Sequence, residues 1–189
     1  MARTPSEMIP LGSKAPDFKL PDPDGRYYSR DEILGAKGLL VIFMCNHCPF
    51  VKHVAEELGR LGDEYPEKGL GIVGINSNDI QNYPDDSPAE MKKFARKYGL
   101  SFPYLFDESQ DTAKAYSAAC TPDFFLYDSN LELVYRGQLD SSRPGNEYPV
   151  TGEDLRAAMQ ALLEGKPVSP DQKPSIGCDI KWKPGNNAD

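Results

Sequence analysis

The chain has 189 residues, 39% of them hydrophobic and 26% charged, which suits one globular domain with a full core and is short for two. Its formal net charge of −8 argues against nucleic acid as a partner, because phosphate binding needs a basic face, and against adsorption to anionic membranes. The N-terminal segment shows no apolar leader, and the longest apolar run, Gly38 to Met44, is far short of a bilayer span, so the expected location is cytoplasmic and no membrane partner is expected.

Residues 1–15 carry turn formers and little periodicity and read as an extended arm. A short alternating stretch predicts a strand around Phe18 and Leu20. The turn-dense run 21–26 follows as a loop or hairpin, and Tyr27-Tyr28 pairs back as a second strand. Ser29 caps a brief helix through Leu34, stopped by Gly35. Gly38 to Met44 is continuously apolar, as a central strand covered on both faces should be. After Pro49, apolar residues at Val51, Val54, Ala55, Leu58 and Leu61 predict a one-faced helix, with Lys52, Glu56, Glu57 and Arg60 outward and Gly62 or Pro66 as its end.

Gly69 to Asn76 is the next buried strand. Ser87 as N-cap and Pro88 at the first position begin a helix that carries Met91, Phe94, Ala95 and Tyr98 and closes at Gly99. A strand over Phe102 to Phe106 precedes a helix opened by Asp107 or Ser109 and running to about Ala118. Phe124 to Tyr127 and Leu131 to Tyr135 read as a hairpin, and Thr151 to Leu163 as a capped amphipathic helix. Tyr83 and Tyr98 are expected in the core. The tail from Lys166 mixes prolines with Ile176, Cys178, Ile180 and Trp182 at period two, which suggests a strap laid on the domain, with disorder over about the last five residues. Strands alternating with helices and closing in a hairpin make an α/β fold, a mixed sheet with helices on both faces.

The chemistry lies where the apolar strand ends, at Cys45-Asn46-His47-Cys48. Strand, paired thiols, then helix is the layout that thiol–disulfide exchange needs. The helix N-terminus favours a thiolate, the second thiol lies within reach, and a protonated His47 would favour the thiolate further. Two cysteines three apart are also half of a zinc site, with His53, Cys120 and Cys178 in reserve. Structural zinc usually takes a second close pair, which Cys120 and Cys178 do not form, so no metal is expected and His53 is placed on the helix surface. No Gly-rich phosphate loop is present, so no nucleotide or flavin cofactor is expected. Thr121-Pro122-Asp123 stands at the start of a buried strand, where a cis proline can hold backbone atoms open to a substrate chain.

Cys45-x-x-Cys48-Pro49, with Thr121-Pro122 before a strand and hairpin, resembles the thioredoxin superfold. Ala15-Pro16-Asp17-Phe18 and the long interval between the thiols and Pro122 resemble its peroxiredoxin-like branch, the alkyl hydroperoxide reductase/thiol-specific antioxidant (AhpC/TSA) family. Cys45 to Val51 and Ile176 to Trp182 resemble a bacterial group within that branch, over about residues 12 to 185. The resemblance implies a thioredoxin-like domain over 1–165, with an N-terminal β extension, and an extended tail over 166–189 packed on it. It implies Cys45 and Cys48 as the redox pair and Thr121, Pro122, Asn46, His47 and Pro49 as substrate-facing residues. The activity implied is disulfide reduction or exchange on a protein or small-molecule disulfide, with a thiol as electron donor. A thiol peroxidase or a non-catalytic redox sensor are the alternatives.

This chain also departs from the pattern. Met44 and Asn46-His47 stand where thioredoxin proper has Trp and Gly-Pro. A peroxidatic cysteine has proline seven and threonine or serine three residues before it; Cys48 has Val41 and Cys45 there, and Cys45 has Gly38 and Ile42. Residues 39–44 include no carboxylate, so no buried proton acceptor is evident. Pro49 at the first helical position makes Cys48 the N-cap. Phe43 stands five residues before Cys48, the spacing by which a thioredoxin strand reaches its first cysteine, so the resemblance implies Cys48 as the attacking thiol of lower pKa, with Cys45 upstream and Val51 where the usual second cysteine would be. Cys120 is a third thiol or, more simply, a small buried filler. Cys178 is either a resolving thiol carried by the tail or a packing partner of Ile176 and Trp182.

Overall fold

The computed structural model describes residues 3–187. In chain order its elements are β1 (Arg3–Pro5), β2 (Lys19–Pro21), β3 (Tyr27–Ser29), α1 (Arg30–Ile33), β4 (Gly38–Phe43), α2 (Pro49–Glu64), β5 (Leu70–Asn76), α3 (Pro88–Tyr98), β6 (Tyr104–Phe106), α4 (Asp111–Tyr116), β7 (Cys120–Thr121), β8 (Asp123–Asp128), β9 (Leu133–Gly137), α5 (Glu153–Leu163) and β10 (Ile176–Asp179). Five strands form the main sheet in the order β6-β5-β4-β8-β9. β4, β5 and β6 run parallel and β8 and β9 antiparallel to their neighbours, so the sheet is mixed as expected.

Every residue of β4 is buried, and alternate residues feed opposite faces. Leu40 and Ile42 pack with Leu58, Met91, Phe94, Leu155 and Met159 from α2, α3 and α5. Leu39, Val41 and Phe43 pack with Ala113 and Tyr116 of α4, with Phe18 and with Ile180. Helices therefore cover both faces, and the end of β4 is held between two cores. Among the described residues no helix is long and apolar enough to cross a membrane.

Several local expectations shift. Part of the arm is a strand, β1, paired with β10; Met1 and Ala2 lie outside the described residues. The strand placed around Phe18 and Leu20 starts one residue later, at Lys19. α4 is shorter than expected, because Gln110 and Ser117 at its ends take left-handed conformations (φ 68° and 56°). Asp107 still serves that helix by accepting from the Thr112 and Ala113 amides. β9 begins two residues late, since Asp128 closes a turn by accepting from the Asn130 and Glu132 amides. α5 begins at Glu153, with Thr151 and Gly152 donating their amides to Asp140. Glu57 is buried rather than outward because Arg60 and Arg156 pair with it. Asn186 is bonded to Ser109 and Gln110 where disorder was expected, and Ala188 and Asp189 lie outside the described residues.

The tail is tied down along its length. β10 lies between β1 and β7, antiparallel to both, in a second sheet with Cys178 opposite Thr121. Ser175 donates its hydroxyl to the Pro122 carbonyl at 2.6 Å, and the Lys181 amide donates to Asn78 Oδ1 at 2.9 Å. Gly177 makes this approach feasible: a Cβ there would sit 1.9 Å from the Thr121 carbonyl oxygen. The apolar alternation does not keep one face. Cys178 joins the core on the thiol side, while Ile180 and Trp182 join the other, as the chain bends after β10 with Trp182 N–H bonded to Ile180 O.

Candidate active site

β4 delivers Met44 and Cys45 into the interior, and the Met44 amide extends the pairing to Ile75. The chain turns at Asn46-His47, and Cys48 becomes the N-cap of α2 with Pro49 at the first helical position. Val51 and Lys52 donate their amides to the Cys48 carbonyl, so the first turn is anchored on that residue. Cys48 Sγ lies 2.7 Å from Cys178 Sγ and 3.4 Å from the Thr121 carbonyl oxygen. Cys45 Sγ lies 3.6 Å from Thr121 Oγ1. The Thr121–Pro122 peptide bond is cis. Cys45, Cys48 and Thr121 thus converge as the sequence suggested, and Cys178 converges with them.

The loop is held from the far side by Asp86, which is completely buried. Its Oδ1 accepts from the amides of Asn46 (2.8 Å) and His47 (3.2 Å). Its Oδ2 accepts from Asn78 Nδ2 at 3.0 Å and makes a short bond with His47 Nδ1. Tyr104 donates its hydroxyl to Asn46 Oδ1 at 2.8 Å. Tyr83 is 38% exposed rather than in the core, because its ring stacks on His47 with centroids 5.6 Å apart. His53 is half-buried, not on the surface, with Nε2 2.7 Å from Ser142 Oγ. Asp86 and Tyr104 carry no local signal of this role: one looks like part of a helix start, the other like a strand aromatic.

The electrostatics separate the thiols. The hydrogen bond from Cys178, then that from Cys45 and further bonds from Thr121 and the Val51 amide, outweigh burial and hold the Cys48 thiol far below its ordinary range. Burial raises Cys45 well above that range, helped by the hydrogen bond to Cys48 and the Asp86 charge. The hydrogen bond to Asp86 raises His47, which favours an imidazolium beside the thiolate. Burial works to raise Asp86, but the bonds from His47, Asn78 and the Asn46 amide together lower it. Cys120, with Sγ 3.7 Å from the Pro122 carbonyl oxygen, is raised by burial.

Ligand atoms of Cys45, His47 and Asp86 lie within 4.8 Å of one another, a donor set that zinc accepts. In the structure both Asp86 oxygens take two hydrogen bonds each, so the carboxylate is engaged in holding the loop.

The profile of the AhpC/TSA family matches residues 11–136. The chain belongs to the AhpC/TSA family. An uncharacterized conserved protein from Geobacillus kaustophilus superposes on this AhpC/TSA-family chain with a TM-score of 0.96 at 56% identity, covering 98% of each. Thiol-disulfide oxidoreductase ResA of Geobacillus thermodenitrificans is 28% identical over 159 residues, 84% of this chain and 82% of ResA. The thioredoxin domain of a thiol-disulfide oxidoreductase from Bacteroides vulgatus aligns with a TM-score of 0.58 at 20% identity, over 69% of this chain and 89% of that one. That likeness concerns the fold, which is thioredoxin-like.

Proposed function

We propose that the chain is a thiol–disulfide oxidoreductase in which Cys48 attacks and Cys45 resolves. The observation that carries this is the position of Cys48: the N-cap of a 16-residue helix, depressed in pKa, beside a cysteine that burial keeps protonated. The ResA name of a relative supports the same chemistry. The Cys48 thiolate attacks one sulfur of a substrate disulfide; the S–S bond breaks, and the first substrate thiolate leaves and takes up a proton. The mixed disulfide carries no charge on Cys48, which removes one influence that held the Cys45 proton. Cys45 then ionises and attacks Cys48 Sγ, forming the Cys45–Cys48 disulfide and releasing the second substrate thiol. A cellular thiol supplies two electrons to restore the pair. Thr121, Pro122, Asn46 and His47 are the residues we assign to the substrate side of these sulfurs, on the closeness of Thr121 to both Cys45 and Cys48.

Insulin-disulfide reduction and hydrogen peroxide consumption, measured on the wild type, Cys45→Ser and Cys48→Ser, test this. Disulfide turnover should drop by about 10³-fold or more in Cys48→Ser, and Cys45→Ser should lose steady turnover because the Cys45–Cys48 disulfide can no longer form. Membership of the AhpC/TSA family favours a second reading, a thiol peroxidase working through a sulfenate on Cys48. Fast peroxide turnover by Cys48 alone, with no disulfide turnover, would establish that reading instead.

A further inference from the structure

We propose that residues 176–179 act as an internal substrate strand, whose Cys178 is a third redox thiol exchanging disulfides with Cys48. This rests on Cys48 being the attacking thiol and adds a second partner for it.

Cys45, Cys48 and Cys178 are each no more than 1% exposed, so no large disulfide substrate reaches Cys48 while the strap is seated. The strap fills the space that such a substrate would take. β10 pairs antiparallel with β7 and sets Cys178 opposite Thr121, the residue before the cis proline and the one whose carbonyl contacts Cys48. The sulfur–sulfur distance of 2.7 Å puts Cys178 in direct reach of Cys48.

This placement is held from both ends. On one side Ser175 bonds the Pro122 carbonyl, and the Ser6 amide bonds the Ser175 carbonyl at 2.9 Å. On the other, Asn78 accepts from the Lys181 amide, while Asp79 N–H and Gln110 Nε2 donate to the Lys181 carbonyl at 2.8 and 2.9 Å. Between them Gly177 lets the strand lie against Thr121 where any side chain would collide. A tail whose only task was to cover the core would not need a sulfur at the one position facing another sulfur.

The chemistry balances without an added reagent beyond the disulfide substrate already named. Attack by Cys48 leaves a Cys48–substrate disulfide and one substrate thiolate. The Cys178 thiol passes its proton to that thiolate and attacks Cys48 Sγ. The Cys48–Cys178 bond forms, the bond to substrate breaks, and the second substrate thiolate departs with its electron pair. The substrate has gained two electrons and the protein has lost them. Cys45 then attacks Cys48 Sγ, passing its proton to Cys178 as the Cys48–Cys178 bond breaks, so the disulfide moves from strap to loop with no net electron change. While Cys48 is charged, its hydrogen bond keeps the Cys178 proton in place; a mixed disulfide on Cys48 removes that restraint.

The test uses oxidised glutathione on two full-length variants. Cys45→Ser/Cys120→Ser retains Cys48 and Cys178; Cys45→Ser/Cys120→Ser/Cys178→Ser retains Cys48 alone. The triple variant is expected to hold glutathione on Cys48. The double variant should release it about tenfold faster or more, with a peptide linking Cys48 to Cys178 in the mass spectrum. Glutathione held equally long by both overturns the internal-substrate proposal and leaves Cys48 as the attacking thiol. A triple variant whose Cys48 takes up neither glutathione nor the smaller reagent iodoacetamide overturns both. Timed oxidation of the unmutated chain by diamide, quenched by alkylation, guards against misfolded variants. The Cys48–Cys178 peptide should be present, and its absence at every time overturns the proposal.

Discussion

Cys48 meets a sulfur on each side, and the two sides are built in opposite ways. Cys45 arrives through three residues of local chain, at the end of a strand and the start of a helix. Cys178 arrives from 130 residues away, on a strap fixed by side chains and amides scattered across the sequence. The loop side is secured by one buried charge, Asp86, and the four donors aimed at it. The strap side is secured by backbone pairing, a glycine and a second buried carboxyl, Asp123, which accepts from Ser6 Oγ and the Ala119 amide. Both carboxyls are buried, yet their ionisation runs in opposite directions. Asp86 has a cation-forming partner in His47 and is lowered, whereas burial raises Asp123 to about 7 despite its neutral donors. What burial does to a carboxyl is decided by the partners it keeps.

Removing Asp86 should break the loop side. Asp86→Ala leaves four buried donors without an acceptor and should lower stability by about 3–5 kcal/mol in urea unfolding, while His47 returns toward its ordinary pKa by NMR titration. Asp123 tests the strap side through pH. Its folded pKa of about 7 lies above the ordinary carboxyl value, so the folded chain prefers the protonated form. Its contribution is complete in acid below the unfolded pKa of about 4, falls by up to about 1.4 kcal/mol per pH unit above it, and is gone above the folded value. Urea midpoints measured across that window should show this slope, and Asp123→Asn should flatten it.

Gly177→Ala should push the strap away from Thr121 at a cost of about 1–3 kcal/mol and reduce the yield of the Cys48–Cys178 peptide after oxidation. The smallest effect concerns ionisation alone. Cys178→Ser replaces the leading influence on Cys48 and should raise its pKa by about one unit or more, seen as a later onset of thiolate absorbance in a pH titration.

The contrast also explains what the sequence revealed. The buried run from Gly38, the helix after Pro49, the Ser87-Pro88 start and Cys48 as N-cap are all local patterns, and each is present. Asp86 was hidden because Asp-Ser-Pro already makes sense as a helix start, and its partners Asn46 and His47 lie about forty residues earlier. Glu57 looked solvent-facing because its partner Arg156 sits on α5. Tyr83 looked like core because nothing local announces a stack on His47. Cys178 was ambiguous for the same reason: period two gives a strand, but only its pairing with β7 decides which sulfur it faces.

The most direct test of the central claim, that Cys48 and not Cys45 carries the charge, is the ultraviolet absorbance of thiolate at about pH 5, where an ordinary thiol is fully protonated. Reduced wild type and Cys45→Ser should each show one thiolate at that pH, and Cys48→Ser none. A thiolate that survives in Cys48→Ser and vanishes in Cys45→Ser would contradict it.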